Sequence, residues 1–288
     1  MIREILIPDK NKKTCIDDYN RHCSFFFNYA RFVGIHVEVA QDPRIWISDE
    51  GEYPCEFSCL IDGKQFIVDY SDYLSYNTKN TTPGVRHGKY YYYEMAYRGC
   101  PHFYPLGSQL DIQGYDFSAF FELCNTPRPN NSTMIRSNQN PRLNALERRS
   151  RIQINLLKWY GEKADVGYNY FNQKDFWIAS RDSLVSIVVP GATNNAIDRG
   201  HLEQLALGVC TISPRIDTFL PYFMKPEPGI SFFQCRDDYS DLRQIIDWCI
   251  EHPVQCYYVG QKAQELFNSC FTPEKYFSWV EQIVKEQV

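Results

Sequence analysis

The sequence predicts an α/β protein, because apolar β-rich runs alternate with segments of helical periodicity. The second half shows this most directly. SLVSIVV (183–189) and VCTIS (209–213) are short apolar runs of the kind found in central parallel strands. Between them the segment 197–207 has helical spacing and stops at Gly208. With 288 residues, 44% hydrophobic and 16% aromatic, the chain has enough apolar mass for one large core or two compact ones.

The elements follow in order. MIREILI (1–7) reads as a short strand ending at Pro8-Asp9, and 16–32 carries helical spacing before Gly34. IHVEVA (35–40) is a second strand. CEFSCLI and KQFIVDY are β-rich runs joined by Asp62-Gly63, the strongest short-range hairpin signal a sequence offers. Residues 75–89 are polar and turn-rich and read as a mobile surface loop, and the aromatic run YYYYEMAYRGCPHFYPLG closes this half.

In the second half GYDFSAFFEL (114–123) begins as a strand, and 126–141 is a Pro/Asn/Ser-rich loop. A helix then covers 142–160, and ADVGYNY (164–170) is a strand. After the central strands, 240–251 is helical with Leu242, Ile245, Ile246 and Cys249 on one face. Pro253 opens another helix, and Thr272-Pro273 opens a last one with Tyr276, Val280, Ile283 and Val284 on one stripe. Right-handed crossovers then imply two α/β units, 1–113 and 114–270, with the helix of 271–288 returning to the first.

Composition excludes several functions. Thirty basic against thirty-five acidic residues give a net charge of −5, which disfavours a nucleic-acid coat or an anionic-membrane binder. Arg3, Glu4, Asp9 and Lys10 leave no room for a signal-peptide core, and no run approaches the ~20 apolar residues of a membrane span. The chain therefore reads as soluble and cytoplasmic, with no nucleic-acid partner. Its 11 cysteines are odd in number and scattered, so free buried thiols are expected. Cys55-x₃-Cys59 comes nearest to a zinc pair but has no second pair.

The familiar ligand motifs are missing. No G-x-G occurs, GVRHGKY (84–90) is one residue short of a P-loop, and there is no H-E-x-x-H or G-x-S-x-G. No two aspartates are separated by one residue, so a D-x-D metal–diphosphate site cannot form. The six histidines make no i, i+4 pair and read as core or surface residues. No resident metal or cofactor is expected.

The stretch VSIVVPGATNNAIDRGHLEQLALGVCTISP (185–214) carries the most information. In an open α/β sheet the ligand crevice lies outside the carboxyl ends of the strands. That position holds Pro190, Gly191, Ala192, Thr193, Asn194 and Asn195. Small residues let a phosphate approach the backbone, and the following helix turns free N–H groups toward an anion. Asp198 and Arg199 fall in its first turn, with Glu203 beyond. An arginine there can fork onto a diphosphate, and a carboxylate can accept two ribose hydroxyls. A plainer alternative makes Glu203 solvent-facing and paired with Arg199 at i, i+4.

This segment resembles the donor-binding core of GT-B glycosyltransferases, including the exostosin-like group. Their run is a strand, a Pro/Gly-containing loop, a helix with Glu-Ala-x-Ala-x-Gly or a close variant, and a valine/isoleucine strand. Here the helix has Glu203-Gln204-Leu205-Ala206-Leu207-Gly208, followed by Val209-Cys210-Thr211-Ile212. The resemblance implies two Rossmann-like domains facing a cleft, the first on the acceptor side and the second binding the donor. It implies that Glu203 holds the nucleotide ribose and that the 190–195 loop faces sugar and diphosphate. The activity implied is transfer of a sugar from a nucleotide diphosphate sugar, a UDP-sugar first, to a glycan hydroxyl. Xylose heads a donor set that also holds glucose, rhamnose and glucuronic acid. Many retaining members carry a second Glu where this chain has Asn195, so the sequence favours inversion.

The remaining roles have several candidates. Arg136, Arg142, Arg148, Arg149 and Arg151 gather around the 142–160 helix. Arg142 first and Arg149 second are candidates for the pyrophosphate, against a solvated helix face with Glu147 as neighbour. Tyr168 and Tyr170 could stack on the base or fill the core. An inverting transferase needs a base in the first half. Asp69, Asp72 and Asp9 lie at strand ends, although such residues also form turns, and His36 and Glu38 are held in reserve. The rival reading is a non-catalytic carbohydrate- or nucleotide-binding protein with the same fold, and the 21 tyrosines fit either.

Overall fold

The structure, a computed structural model, describes residues 1–8, 26–47, 56–69, 86–88, 91–92, 103–105, 116–137, 146–166, 173–190, 197, 199–216, 218–219 and 222–286. At Asp69 and Arg199, among others, the description covers the backbone alone. The strands in chain order are β1 (Glu4–Ile7), β2 (His36–Val39), β3 (Trp46–Ile47), β4 (Glu56–Ile61), β5 (Lys64–Asp69), β6 (Arg86–Gly88), β7 (Tyr91–Tyr92), β8 (Phe103–Pro105), β9 (Ile135–Arg136), β10 (Ala164–Asp165), β11 (Val185–Ile187), β12 (Cys210–Ser213), β13 (Thr218–Phe219) and β14 (Phe233–Gln234). The helices are α1 (26–32), α2 (Phe117–Asn125), α3 (Leu146–Tyr160), α4 (Gln173–Arg181), α5 (Arg199–Ala206), α6 (Leu242–Glu251), α7 (Pro253–Cys270) and α8 (Pro273–Glu286).

The chain divides into two compact units. One is Met1–Gln109 with Thr218–Phe223 and Cys270–Val288, and the other is Leu110–Asp217 with Met224–Ser269.

The first unit is built on a mixed sheet in the order β2-β1-β4-β5-β6-β8, with β3 added on β4. β4 and β5 form a hairpin across Asp62 (φ 47°) and Gly63 (φ 81°), and two such left-handed residues are what a tight hairpin turn requires. Asp62 Oδ1 also accepts the amide N–H groups of Arg3 and Glu4 at 3.0 Å, which seats β1 beside the turn. β4 runs against β1, β3 and β5, whereas β1–β2, β5–β6 and β6–β8 are parallel pairs. β1, β2, β5, β6 and β8 therefore share one direction. Their core is aromatic: Phe26 packs against Phe66 at 6.2 Å and against Phe277 of α8 at 5.1 Å. The apolar stripe of α8 buries Tyr276, Phe277, Val280, Ile283 and Val284 in this unit.

The second unit has an all-parallel sheet in the order β10-β9-β11-β12-β14. Ile152 and Leu156 of α3 share one core cluster with Val185, Ile187 and Ile212 of the strands and with Leu242, Ile246 and Cys249 of α6. Tyr160 Oη closes that layer by donating to Asp247 at 2.8 Å. Phe120 of α2 meets Trp177 of α4 at 4.6 Å. Arg128 donates to the carbonyls of Arg181, Ser183 and Gly208, gathering the ends of α4 and α5 and the start of β11.

Four expectations change here. The 114–123 segment is no strand from Phe117 onward but the helix α2, because Asp116 caps it by accepting from Ala119 N–H and Phe117 and Phe120 are buried one turn apart. β9, the first strand of the sheet, lies inside the stretch read as a loop. Its two residues are ordered by ladders on both sides, to β10 and β11. α4 was not anticipated at all. In the first unit, Arg86–Gly88 of the expected 75–89 loop form β6 between β5 and β8, while 75–85 lie outside the described residues. The described cysteines are free thiols, all but Cys124 buried, and Cys55 of the possible zinc pair lies outside the described residues.

Candidate functional site

The parallel sheet places the candidate site through its strand order. The chain leaves β9 for β10 on one side and returns through α4 to β11 on the other, so the order reverses between β9 and β11. Ligand crevices in such sheets lie beyond the carboxyl ends at that reversal. Residues 188–190, which follow Ile187, leave the sheet at that edge.

Two cations are built against it. Arg149, 8% exposed, donates from Nε and Nη2 to the Val189 carbonyl at 3.0 and 2.9 Å. Its neighbour Arg148 donates from Nη2 to the Pro190 carbonyl at 2.9 Å. Tyr239 Oη donates to the Val188 carbonyl at 3.3 Å, and Val188 N–H donates to Ile212. Three successive carbonyls are thus held as the chain leaves β11. Two guanidinium groups arrive with them from the first turns of α3. Of the expected residues, Pro190 and Arg149 come together here, and Arg148 joins them.

Arg136 has a different job. It is wholly buried on β9, paired with Asp165 of β10 at 2.5 Å, and its guanidinium carbon lies 4.9 Å from the Phe176 ring centre. Nη2 also donates to the Phe176 carbonyl at 3.2 Å. Its charge is compensated within the fold and ties β9, β10 and α4 together.

Glu203 is buried at 4% exposure, which removes the solvent-facing alternative. Its Oε1 accepts from Gln173 Nε2 at 3.2 Å. Helical side chains lean toward the N-terminus of their helix, here the end of α5 nearer the carboxyl edge of the sheet. His201, also on α5, is completely buried; its Nε2 lies 3.4 Å from Thr211 Oγ1, and burial lowers its pKa to about 4. It is a neutral core histidine.

In the first unit, β5 ends at Asp69 and β1 ends two residues before Asp9, and these strands run the same way. The side chain of Asp69 is not described. Asp9, Asp72, Arg142, Tyr168, Tyr170, Gly191, Ala192, Thr193, Asn194, Asn195 and Asp198 lie outside the described residues, and Arg199 is placed by backbone alone as the first residue of α5. The reserve candidates His36 and Glu38 sit near the opposite end of the sheet, level with the Asp62-Gly63 turn. Their side chains meet at 3.2 Å, and with Glu4 they form a group whose ligand atoms all lie within 4.8 Å. This could hold a divalent ion. The search for i, i+4 pairs missed it because on a strand the shared face repeats every second residue.

No protein-family model matches this chain, and no curated protein does. Among solved structures the chain is similar to a glycosyltransferase from Rickettsia africae, at 12% identity and a TM-score of 0.48, over 76% of this chain and 70% of that one.

Sequence reasoning missed two residues of the second-unit candidate site. Arg148 was seen in the arginine group but not chosen, and its position beside Arg149 at the head of a helix following the first strand was the available signal. Gln173 had no local signal, since its partner is thirty positions away.

Proposed function

We propose that this chain is a glycosyltransferase of the two-Rossmann, GT-B-like kind, moving a sugar from a nucleotide diphosphate sugar to a glycan hydroxyl. The observation that carries this reading is the convergence at the β9/β11 reversal of Arg148 and Arg149 on the carbonyls of 189–190, with the buried carboxylate of Glu203 on the helix that follows. Fixed cations and a helix N-terminus suit a group that gains negative charge as it leaves, because they need no reorganisation during the reaction. A buried carboxylate suits two vicinal hydroxyls, each donating to an ionised acceptor.

In this reading Glu203 holds the ribose, the 190–195 loop lies along sugar and diphosphate, and Arg149 and Arg142 take charge from the pyrophosphate without a metal ion. The donor is a UDP-sugar, with xylose the first to try. Asp69, Asp72 or Asp9 of the first unit takes the proton from the acceptor hydroxyl, and attack from the face opposite the leaving group inverts the anomeric centre. The deciding experiment is UDP release from a panel of UDP-sugars, with and without acceptor glycans. Acceptor-stimulated release is expected. Donor binding without turnover across the panel would replace the enzyme by a nucleotide-sugar-binding protein, and a product that keeps the donor configuration by NMR would remove inversion.

A further inference from the structure

We propose that Glu4, His36 and Glu38 form a surface site for one divalent ion of the zinc class, which clamps β2 to β1. The parallel register pairs Glu4 with His36 across the two strands, and Glu38 follows His36 by two residues on the same strand. Strand side chains repeat their face every second residue, so all three stand on one face of the sheet. It is the face opposite Ile5 and Ile7, which are buried. The site lies wholly within the first unit and is independent of what the second unit binds.

The spacing is that of ligands around one small ion. One ligand atom from each residue lies within 4.8 Å of the other two, and His36 Nε2 is 3.2 Å from Glu38 Oε2. Zinc bonds of about 2.0–2.2 Å at tetrahedral angles put neighbouring ligand atoms roughly 3.3–3.5 Å apart. The imidazole and one carboxylate already stand near this separation, and a small rotation of the other carboxylate completes the set. Electrostatics favour the ion as well. Two carboxylates brought this close repel each other, whereas a divalent cation between them is attracted to both. The donor set selects the metal. Imidazole nitrogen with carboxylate oxygen suits zinc and its first-row neighbours, while calcium and magnesium prefer all-oxygen sets. Three protein ligands leave a fourth position for water. Because they come from both strands, a bound ion ties β2, at the end of the described sheet order, to its neighbour.

The test titrates Zn²⁺ into the full, reduced chain by calorimetry, in the presence of a large excess of Mg²⁺. The wild-type chain should bind a zinc ion that Mg²⁺ does not displace. His36→Gln should weaken that binding by ~100-fold or more, and Glu4→Gln and Glu38→Gln by ~10-fold or more each, since loss of even a group behind a metal ligand costs ~10–100-fold. Hydrogen exchange reads the clamp: zinc should slow the amides of β2 in the wild-type chain and not in His36→Gln. The side chains of His36 and Glu38 are 64% and 62% exposed, so the metal-free variants should melt as the wild type does. If one variant fails to fold, the other two decide. Zinc held by cysteines instead would bind all three variants as it binds the wild type, and that result overturns the site. So does displacement of zinc by Mg²⁺, the mark of an unselective group of carboxylates, or a wild-type chain that binds no zinc.

Discussion

The two sheets of this protein are built by different rules, and the difference governs what can be read from each. In the second unit every strand is parallel, so every strand delivers its carboxyl end to one edge and the reversal between β9 and β11 singles out one place on that edge. Arg148, Arg149 and the carbonyls of Val189 and Pro190 meet there, and Glu203 lies on the helix that follows β11. The first unit interrupts a largely co-directional sheet with the antiparallel β4, and among the described residues its order contains no comparable reversal marked by helices on either side. Its two ends offer different candidates: the side chains of Glu4, His36 and Glu38 gather near the hairpin turn, and the backbone of β5 ends at Asp69 at the far end. Topology alone nominates a binding site in one sheet and leaves several candidates in the other.

The largest test of that contrast asks whether chemistry resides in the first unit while binding resides in the second. One of Asp69→Asn, Asp72→Asn and Asp9→Asn should cut turnover ~10²–10⁴-fold and leave UDP affinity unchanged, the behaviour of a lost general base. Kinetics of UDP release paired with calorimetry on each variant reads both quantities. Normal turnover in all three would move the base elsewhere, with His36 and Glu38 next.

A second test contrasts ion pairs. Arg136→Met removes the cation that faces Asp165 in the interior of the second sheet, and should destabilise the protein by about 3 kcal/mol in chemical denaturation. In the first unit Arg44 bonds Asp42 in solvent, and although this lowers the Asp42 pKa to about 2, Asp42→Asn should leave the unfolding midpoint nearly unchanged. Equal effects from the two variants would contradict the burial difference.

Glu203→Ala should weaken UDP binding by about tenfold or more, because ribose hydroxyls lose a charged acceptor. An unchanged affinity would remove Glu203 from the site. Its helix neighbour His201 supplies a pH test. With its folded pKa lowered to about 4 by burial, the unfolded chain binds this proton first, so stability should fall as pH drops below about 6.5 and level off below about 4. The slope attributable to His201 is about 1.4 kcal/mol per pH unit, and His201→Gln should abolish that part of it in denaturant titrations across this range. The smallest expected effect is none: excess EDTA should leave turnover intact. Loss of activity on chelation, restored by manganese and abolished in His36→Gln, would bring the Glu4–His36–Glu38 group into the reaction.

Much of the fold was legible in the sequence wherever an element is specified by residues within a few positions of each other. The Asp62-Gly63 hairpin, the central strands β11 and β12, the helix between them, and the stripes of α6 and α8 are of this kind. Their periods and turn residues act over one turn of helix or one pleat, so local sequence is sufficient. The position of Glu203 within such a helix was equally readable.

Tertiary structure decided the rest. β9 is two residues in a polar stretch and exists because β10 and β11 bond it from both sides. The aromatic residues of α2 suggested a strand until Asp116 capped a helix and Phe120 found Trp177. Arg136 became a buried structural cation through Asp165, twenty-nine positions away. Arg149 was brought to the end of β11 by a carbonyl forty positions away. A charged side chain carries no local sign of whether it will be solvated, paired or aimed at a ligand. That depends on which carbonyl or carboxylate the folded chain brings within about 3 Å, where desolvation makes each partner decisive.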